Sequence, residues 1–342
     1  MDREKKSTRE LIAEILKENP NTYISGQKLA EECFVTRAAV WKAIKTLKEE
    51  GLKIDSVTNR GYCLIQKGDR LHAGKLRDEL YKEDAILSYY GERDRFPAIE
   101  VFDTLASTND HAKQLADGKD HLIAAHEQTA GRGRKGRAFY SPKDSGLYFS
   151  LLLHPKLCFE EASYLTCIAA EAVRLAITEE LKLQPSIKWM NDILLKDRKV
   201  AGILTESFGS LEEEGPETVV IGIGINLYPL PEQKARKNLP QAGSLLKKPA
   251  HVEGLKEKLT VKVLVRFYEL LKDLEGGGRS FIKGYREHSD LIGKYVRVTG
   301  RDGDNHGYAL VEGIDDTCRL LVTFEDGRRE ALRGAEVSVV KY

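Results

Sequence analysis

Leu11, Ile12, Ile15 and Leu16 recur at i, i+1, i+4 and i+5, which places them on one face of a helix that Pro20 stops. Ser25 then caps a short helix carrying Leu29, Ala30 and Cys33. After a brief turn at Phe34 and Val35, Thr36 caps a longer helix that turns Val40, Ile44 and Leu47 inward and closes at Gly51. Two helices joined by a turn of about three to four residues, the second with a basic outer face, have the pattern of a helix-turn-helix, here at about residues 25–44. Residues 52–54 and 62–65 read as strands flanking a tip at Asn59-Arg60-Gly61, which adds a wing. A generic three-helix bundle with a solvated cationic face is the plainer alternative.

Residues 69–98 are mixed and charged, fitting a linker with one short helix at 75–81. Beyond them element types alternate. Strand-like runs fall at 99–102, 122–126, 147–153, 187–189, 193–195, 200–206 and 218–227, with helical patterns at 107–117 and 159–180. In the longer helix Leu165, Ile168, Ala169, Ala172 and Leu175 form a stripe. The strands after 187 follow one another through short turns such as 196–199, which favours an antiparallel or mixed sheet with helices on one face, α+β and not doubly wound. A further helix at 252–274 ends in Gly276-Gly277-Gly278. From about 292 short runs at 295–298, 308–314, 320–324 and 335–340 are separated by turns rich in Gly, Asp and Asn, which suggests a small β-barrel.

Composition narrows the class. Over 342 residues, 41% hydrophobic and 31% charged content excludes a disordered, collagen-like or disulfide-scaffold chain. No apolar run reaches the ~18 residues a membrane span requires, and the charged N-terminus has no apolar stretch behind it, so neither a membrane protein nor a signal peptide is expected. Five scattered cysteines without a C-x-x-C pair are expected to be reduced thiols in the cytoplasm, and a zinc or other metal-ligand set is not expected. Net charge is only +1, yet two clusters stand out against it. From Cys33 to Lys48 there are Arg37, Lys42, Lys45 and Lys48 and no acid, and from Gly131 to Arg137 four of seven residues are cationic. Arg37, Trp41, Lys42 and Lys45 are the candidates for contacting DNA.

The second cluster, Gly131-Arg132-Gly133-Arg134-Lys135-Gly136-Arg137, formally matches the dinucleotide fingerprint, but a strand and not a helix follows it. Alternating Gly and Arg instead gives a backbone that can approach a ligand closely and guanidinium forks that suit phosphate oxygens. Such a loop is expected to be mobile when empty and to close over an anion. A solvated basic loop is the plain alternative. Lys188, in a short segment amid apolar neighbours at Lys188-Trp189-Met190-Asn191-Asp192, is expected to be buried and to seek an acidic ligand group, or else an ordinary structural salt bridge. Glycines inside strands at 202, 222 and 224 imply that something approaches the backbone there. Ser107-Thr108-Asn109 opens a helix with hydroxyls available to a ligand, unless Ser107 is a plain N-cap. No nucleophile–base motif appears and the eight histidines have no partner in sequence, so the chain advertises the holding of anions, which suits chemistry at phosphorus.

These motifs coincide with one family. Ser107-Thr108-Asn109, then residues 127–134 (EQTAGRGR), then Lys188-Trp189-Met190-Asn191-Asp192, and finally Gly222-Ile223-Gly224-Ile225-Asn226 resemble, in order and spacing, the bifunctional biotin–protein ligases that double as biotin operon repressors. The resemblance covers essentially the whole chain. It implies a winged helix-turn-helix at 1–68, a mixed-sheet biotin/lipoate-ligase-like catalytic domain at 69–288 and an SH3-like C-terminal barrel at 289–342. Single-function ligases of the family lack the DNA-binding part. Met190 stands where the family has proline, and it is expected to loosen the turn after Trp189 while leaving Lys188 and Asn191 in place.

The implied reaction forms biotinyl-5′-AMP and pyrophosphate from biotin and ATP, with Mg²⁺ assisting and no tightly bound cofactor. Biotin then passes to a lysine of the biotin carboxyl carrier protein. By the same resemblance Ser107, Thr108, Asn109 and Gln128 contact biotin, and Arg132, Gly133 and Arg134 close over biotin and phosphate. Lys188 bridges the biotin carboxylate and the phosphate, with Lys188, Arg132 and Arg134 as the catalytic set, and Asn226 joins Arg134 in adenylate contact. A homodimer formed on binding biotinyl-5′-AMP would engage operator DNA, without any membrane role. A lipoate–protein ligase and a metabolite-sensing repressor without ligase activity are the competing readings.

Overall fold

A computed structural model describes residues 7–19, 23–58, 60–64, 69–91, 95–115, 117–162, 164–208, 218–230, 242–247, 252, 254–300, 303–334 and 337–341. The chain divides into two compact units, Met1–Asp69 with Leu246–Glu253, and Arg70–Leu245 with Gly254–Tyr342.

The first unit holds α1 (Thr8–Glu18), α2 (Gly26–Glu32), α3 (Arg37–Glu49), β1 (Ile54–Val57) and β2 (Gly61–Leu64). Each helix starts at a side-chain cap: Ser7 in a reciprocal box with Glu10, Ser25 accepting from Lys28 N–H, and Thr36 from Ala39 N–H. Ile12, Leu16, Leu29, Val40, Ile44 and Leu47 form the core with Ile54 and Leu64 of the hairpin. The first strand begins at Ile54, later than the expected 52, because Leu52 N–H still bonds Leu47 O and closes α3. The hairpin pairs Ile54 with Leu64 and Val57 with Gly61; Pro20, Asn59 and Ile65 lie outside the described residues.

In the second unit, α4 (Ala73–Leu80) and α5 (Asp84–Tyr90) replace the single short helix expected between 69 and 98. Leu76 and Leu80 bury one, Ile86 and Tyr90 the other, and Gly91 at φ +74° ends α5. Next come β3 (Ala98–Phe102), α6 (Thr108–Ala112), β4 (His121–Ala125), β5 (Gly146–Leu153), α7 (Phe159–Ala162), α8 (Tyr164–Leu181), β6 (Ser186–Lys188), β7 (Asp192–Leu195), β8 (Arg198–Phe208) and β9 (Thr218–Asn226). They build a seven-stranded sheet, β3-β4-β5-β9-β8-β7-β6, in which β3–β4 is parallel and every other pair antiparallel. The mixed sheet matches the α+β expectation. Helix α6 is shorter than the expected 107–117, since Asp117 bonds both Lys119 N–H and the His121 ring and turns the chain into β4.

Strand alternation separates the two faces of this sheet. Thr205 of β8 meets Thr166 of α8 at 2.9 Å, whereas Glu206, pointing the opposite way, accepts from Asn109 of α6 at 2.9 Å. Helices were expected on one face; α6 instead lies on the face opposite α8. Two further helices complete the unit, α9 (Leu255–Glu275) and α10 (Phe281–Glu287). The first is tied to α8 by Arg266–Glu179 at 2.8 Å, and the second carries the buried Tyr285.

The chain ends in β10 (Tyr295–Gly300), β11 (Asn305–Ile314), β12 (Leu320–Phe324), β13 (Arg329–Leu332) and β14 (Val337–Lys341). They form an antiparallel sheet ordered β13-β12-β11-β10-β14, with β13 and β14 at its edges. Among the described residues this sheet does not close into the expected barrel.

Candidate functional site

On the face opposite α8 the sheet carries three glycines close together. Gly202 of β8 pairs with Gly224 of β9, and Leu204 with Gly222, so alternation brings the glycines to one floor beside Ser150 of β5. The reason for the glycines is what lies on them. A Cβ at Gly222 would sit 2.1 Å from Asn109 Oδ1, and one at Gly224 would sit 2.4 Å from the Phe139 ring.

Helix α6 presents its first residues to this floor. Ser107 is the N-cap, accepting from Asp110 N–H at 3.3 Å, so the plain structural role holds for it. Ser150 Oγ is 2.7 Å from both Thr108 Oγ1 and Asn109 Oδ1. Gln128 Oε1 accepts from Thr108 N–H at 2.9 Å, and its amide donates to Ser141 Oγ at 2.8 Å. Ser107, Thr108 and Asn109 are buried, which fixes these polar groups before any ligand arrives.

The Gly-Arg loop lies across the same floor and is bonded to itself: Gly133 N–H to Arg137 O at 2.7 Å and Phe139 N–H to Gly131 O at 2.8 Å. Its two arginines are held on different walls. Arg132 donates to Asp110 Oδ1 at 2.5 Å and stands 3.9 Å from Glu206, which Lys113 also bonds at 2.6 Å. Arg134 donates to Asn191 Oδ1 at 3.3 Å and to the Gly334 carbonyl in the C-terminal sheet. The Asp110 bond raises the Arg132 pKa further. Partial burial works against ionisation of Asp110, but Arg132 and Lys113 outweigh it and hold the carboxyl below its usual range. Burial lowers the Arg134 pKa against the pull of Asp192.

Ser107, Thr108, Asn109, Gln128, Arg132, Gly133 and Arg134 thus line one cavity, together with Phe139, Asn191 and Lys199. Its free volume is about 40 Å³, so the loop leaves little room above the floor. Lys188 and Asn226 are not among the lining residues. Lys188 was expected to be buried; it is half-buried, because β6 is the outermost strand, and it pairs across to Asp192. Asn226 is buried at the end of β9, where its amide donates to Lys199 O at 3.5 Å and its Oδ1 makes no hydrogen bond among the described residues. The turn at Met190, expected to be loose, is held by Tyr285 O–H donating to Met190 O at 2.8 Å and Trp189 Nε1–H to Cys318 O at 2.9 Å.

Sequence reasoning missed Phe139, Lys199, Asp110 and Glu206. Lys199 Nζ lies 2.6 Å from Asp192 Oδ1 and 5.8 Å from the Phe139 ring centre. Glu206 was findable, being two steps of alternation beyond Gly202 on the same face. A larger open cleft of about 540 Å³, bordered by Arg279, Lys283, Arg286 and Asp316, contains none of the expected site residues. Among the described residues no three His, Cys, Asp or Glu side chains group as a metal site, and no helix is long and apolar enough to cross a membrane.

In the first unit Arg37, Trp41, Lys42 and Lys45 are all exposed on α3, with Lys45 Nζ 5.9 Å from the Trp41 ring centre. Arg37, Lys42 and Lys45 make no ion pair among the described residues.

Comparison with known proteins fits this geometry. Residues 8–63 match the HTH domain family, 101–226 the biotin/lipoate A/B protein ligase family and 291–340 the biotin protein ligase C-terminal domain. The bifunctional ligase/repressor BirA of Bacillus subtilis (strain 168) is 33% identical over 320 residues, covering 92% of this chain and 94% of that one. The protein of the same name from Escherichia coli (strain K12) is 26% identical, with 92% of each chain covered. A biotin protein ligase from Aquifex aeolicus, solved in complex with biotin and ATP, superposes with a TM-score of 0.61 at 26% identity, covering 72% of this chain and 100% of that one. With a helix-turn-helix unit, a loop-covered cavity on a mixed sheet, and a relative matched at that identity over nearly its whole length, the chain belongs to the BirA family of bifunctional ligase/repressors.

Proposed function

We propose that this chain joins biotin to ATP to give biotinyl-5′-AMP and then passes biotin to a lysine of the biotin carboxyl carrier protein of acetyl-CoA carboxylase. We further propose that the adenylate-bound chain forms a homodimer that represses biotin synthesis genes by binding operator DNA. The observation that carries the reading is the Gly-Arg loop lying over a glycine-floored cavity with Arg132 and Arg134 held by different partners. The relatives' names as ligase/repressors and the Aquifex aeolicus complex with biotin and ATP support it. In this reading residues 1–68 bind DNA as a winged helix-turn-helix, 69–288 carry the catalysis in the cytoplasm, and 289–342 form the C-terminal domain of the ligase.

A carboxylate and a triphosphate repel one another, so the site must neutralise both before they meet. Ser107, Thr108, Asn109 and Gln128 hold the neutral rings of biotin through hydroxyl and amide groups that are already fixed. Opening of the loop admits the ligands, and its closure brings Arg132, Gly133 and Arg134 over them and excludes water. Lys188 swings from the sheet edge to lie between the carboxylate and the α-phosphate. The carboxylate oxygen bonds to phosphorus as the bond to the bridging oxygen of the β-phosphate breaks, and pyrophosphate leaves. The carrier lysine amine then attacks the acyl carbon, forming the amide and releasing AMP. Asn226 contacts the adenylate. Its Oδ1, which makes no hydrogen bond among the described residues, is a hard-oxygen donor that suits Mg²⁺, which would neutralise phosphate charge.

Exchange of labelled pyrophosphate into ATP, with biotin and lipoate supplied separately, tests the reading. Exchange with biotin alone is expected; exchange with lipoate alone or with neither overturns it.

A further inference from the structure

Phe34 is 96% exposed and Trp41 60%, the two most exposed large apolar side chains among the described residues, and both belong to the helix-turn-helix. Phe34 occupies the turn between α2 and α3 at φ +55°, a backbone region that glycine and asparagine adopt more readily than an aromatic residue. The turn is fixed by Phe34 N–H bonding Glu31 O at 3.3 Å and Val35 N–H bonding Ala30 O at 2.9 Å, so the ring is held out in water. Nothing in the fold of this unit requires a phenylalanine there, and a small polar residue would fit the turn with less strain and no exposed apolar area.

The charges around this turn are unevenly placed. Glu31 and Glu32 precede it, with Glu32 paired to Lys28, but from Cys33 to Lys48 the chain carries no acid, and Arg37, Lys42 and Lys45 stand exposed without ion pairs among the described residues. A surface of that sign complements a polyanion. Trp41 has an N–H to offer a base-edge acceptor, but a phenyl ring has no donor or acceptor. In the major groove the apolar feature available to such a ring is the C5-methyl group of thymine.

We infer that Phe34 is a specificity residue of the DNA unit, contacting thymine methyl groups in the major groove beside the α3 cations. The inference rests on the DNA-binding reading above and names what one residue recognises.

The test uses full-length protein with biotin and ATP, and duplexes selected by it from a random library. Phe34→Ala and Phe34→Asn, the second chosen to suit the turn, are expected to weaken binding to the selected duplex by about tenfold. The salt slope of binding and biotin-dependent pyrophosphate exchange should stay at parental values, because the lost contact is uncharged. Replacing thymine by uracil in the duplex should reproduce the loss in the parent and add nothing further in the variants. Parental affinity in the variants, or equal sensitivity of parent and variants to uracil, overturns the inference. So does weakened self-association with unchanged affinity of the preassembled dimer, which would make the ring a protein–protein contact. Failure to select any sequence removes the DNA-binding reading itself, and this inference with it.

Discussion

The cations of α3 and those of the Gly-Arg loop are held in opposite ways. Arg37, Lys42 and Lys45 make no ion pair among the described residues, whereas Arg132 rests on Asp110 and Arg134 on Asn191 and the Gly334 carbonyl. A polymer of phosphates binds by displacing its own counterions, so unpaired, solvated cations are useful there. A small ligand at a reacting centre is better served by charges whose positions are already set, since these need no rearrangement as charge develops.

Salt gives the widest separation between the two regions. With roughly six phosphate contacts in a dimer, operator affinity should fall by about 10³ between 50 and 200 mM salt, measured by fluorescence anisotropy. The biotin KM over the same range should move by no more than about twofold, because Arg134 is half-buried and Arg132 is paired with Asp110. A matching fall in both would erase the contrast.

Lys188 is where the contrast can break, since it belongs to the proposed site yet is half-exposed and has no ion pair among the described residues. Lys188→Ala should lower biotin-dependent pyrophosphate exchange by about a hundredfold while the thermal unfolding temperature is kept. Activity within a few-fold of the parent would show that the pinned arginines suffice. Arg134→Ala, which removes two bonds at the cavity wall, should speed release of preformed biotinyl-5′-AMP by about tenfold in a dissociation assay.

The smallest effect concerns a proton. Burial first, then the cations Arg70 and Lys256, pull the His126 pKa down to about 4. The folded chain therefore keeps His126 neutral where the unfolded chain, titrating near 6.5, takes up a proton. The stabilisation is present above pH 6.5 and is lost as pH falls from there toward 4. Thermal unfolding of His126→Gln across that window should decline less steeply than the parent by a few degrees.

What the sequence revealed followed the range of each signal. Ser107-Thr108-Asn109, Gln128 and the Gly-Arg loop are local motifs, and the structure gathers them in one cavity. The strand glycines were readable because a missing side chain implies a close neighbour; that the neighbours are Asn109 and Phe139 depends on folding. Lys199 is one of 54 basic residues, and only pairing of β7 with β8 around an irregularity between Ile193 and Leu194 brings it to Asp192. Lys188 misled because its apolar neighbours suggested burial, while strand order left β6 outermost. Helix α5 went unseen because seven residues, DAILSYY, give too short a period to register.

The bond from Arg134 to Gly334 has a consequence for how this chain can be cut or recombined. Together with Trp189 on Cys318 and Met190 lying against Gly334, it ties the lid of the cavity to a sheet that begins about 160 residues later in the chain. The C-terminal sheet is accordingly not an appendage of the catalytic part, and a chimera that exchanges it at residue 290 for a relative's would need the 333–334 backbone reproduced in register. Grafting boundaries for this protein belong ahead of Arg70, with the catalytic sheet and the C-terminal sheet kept together.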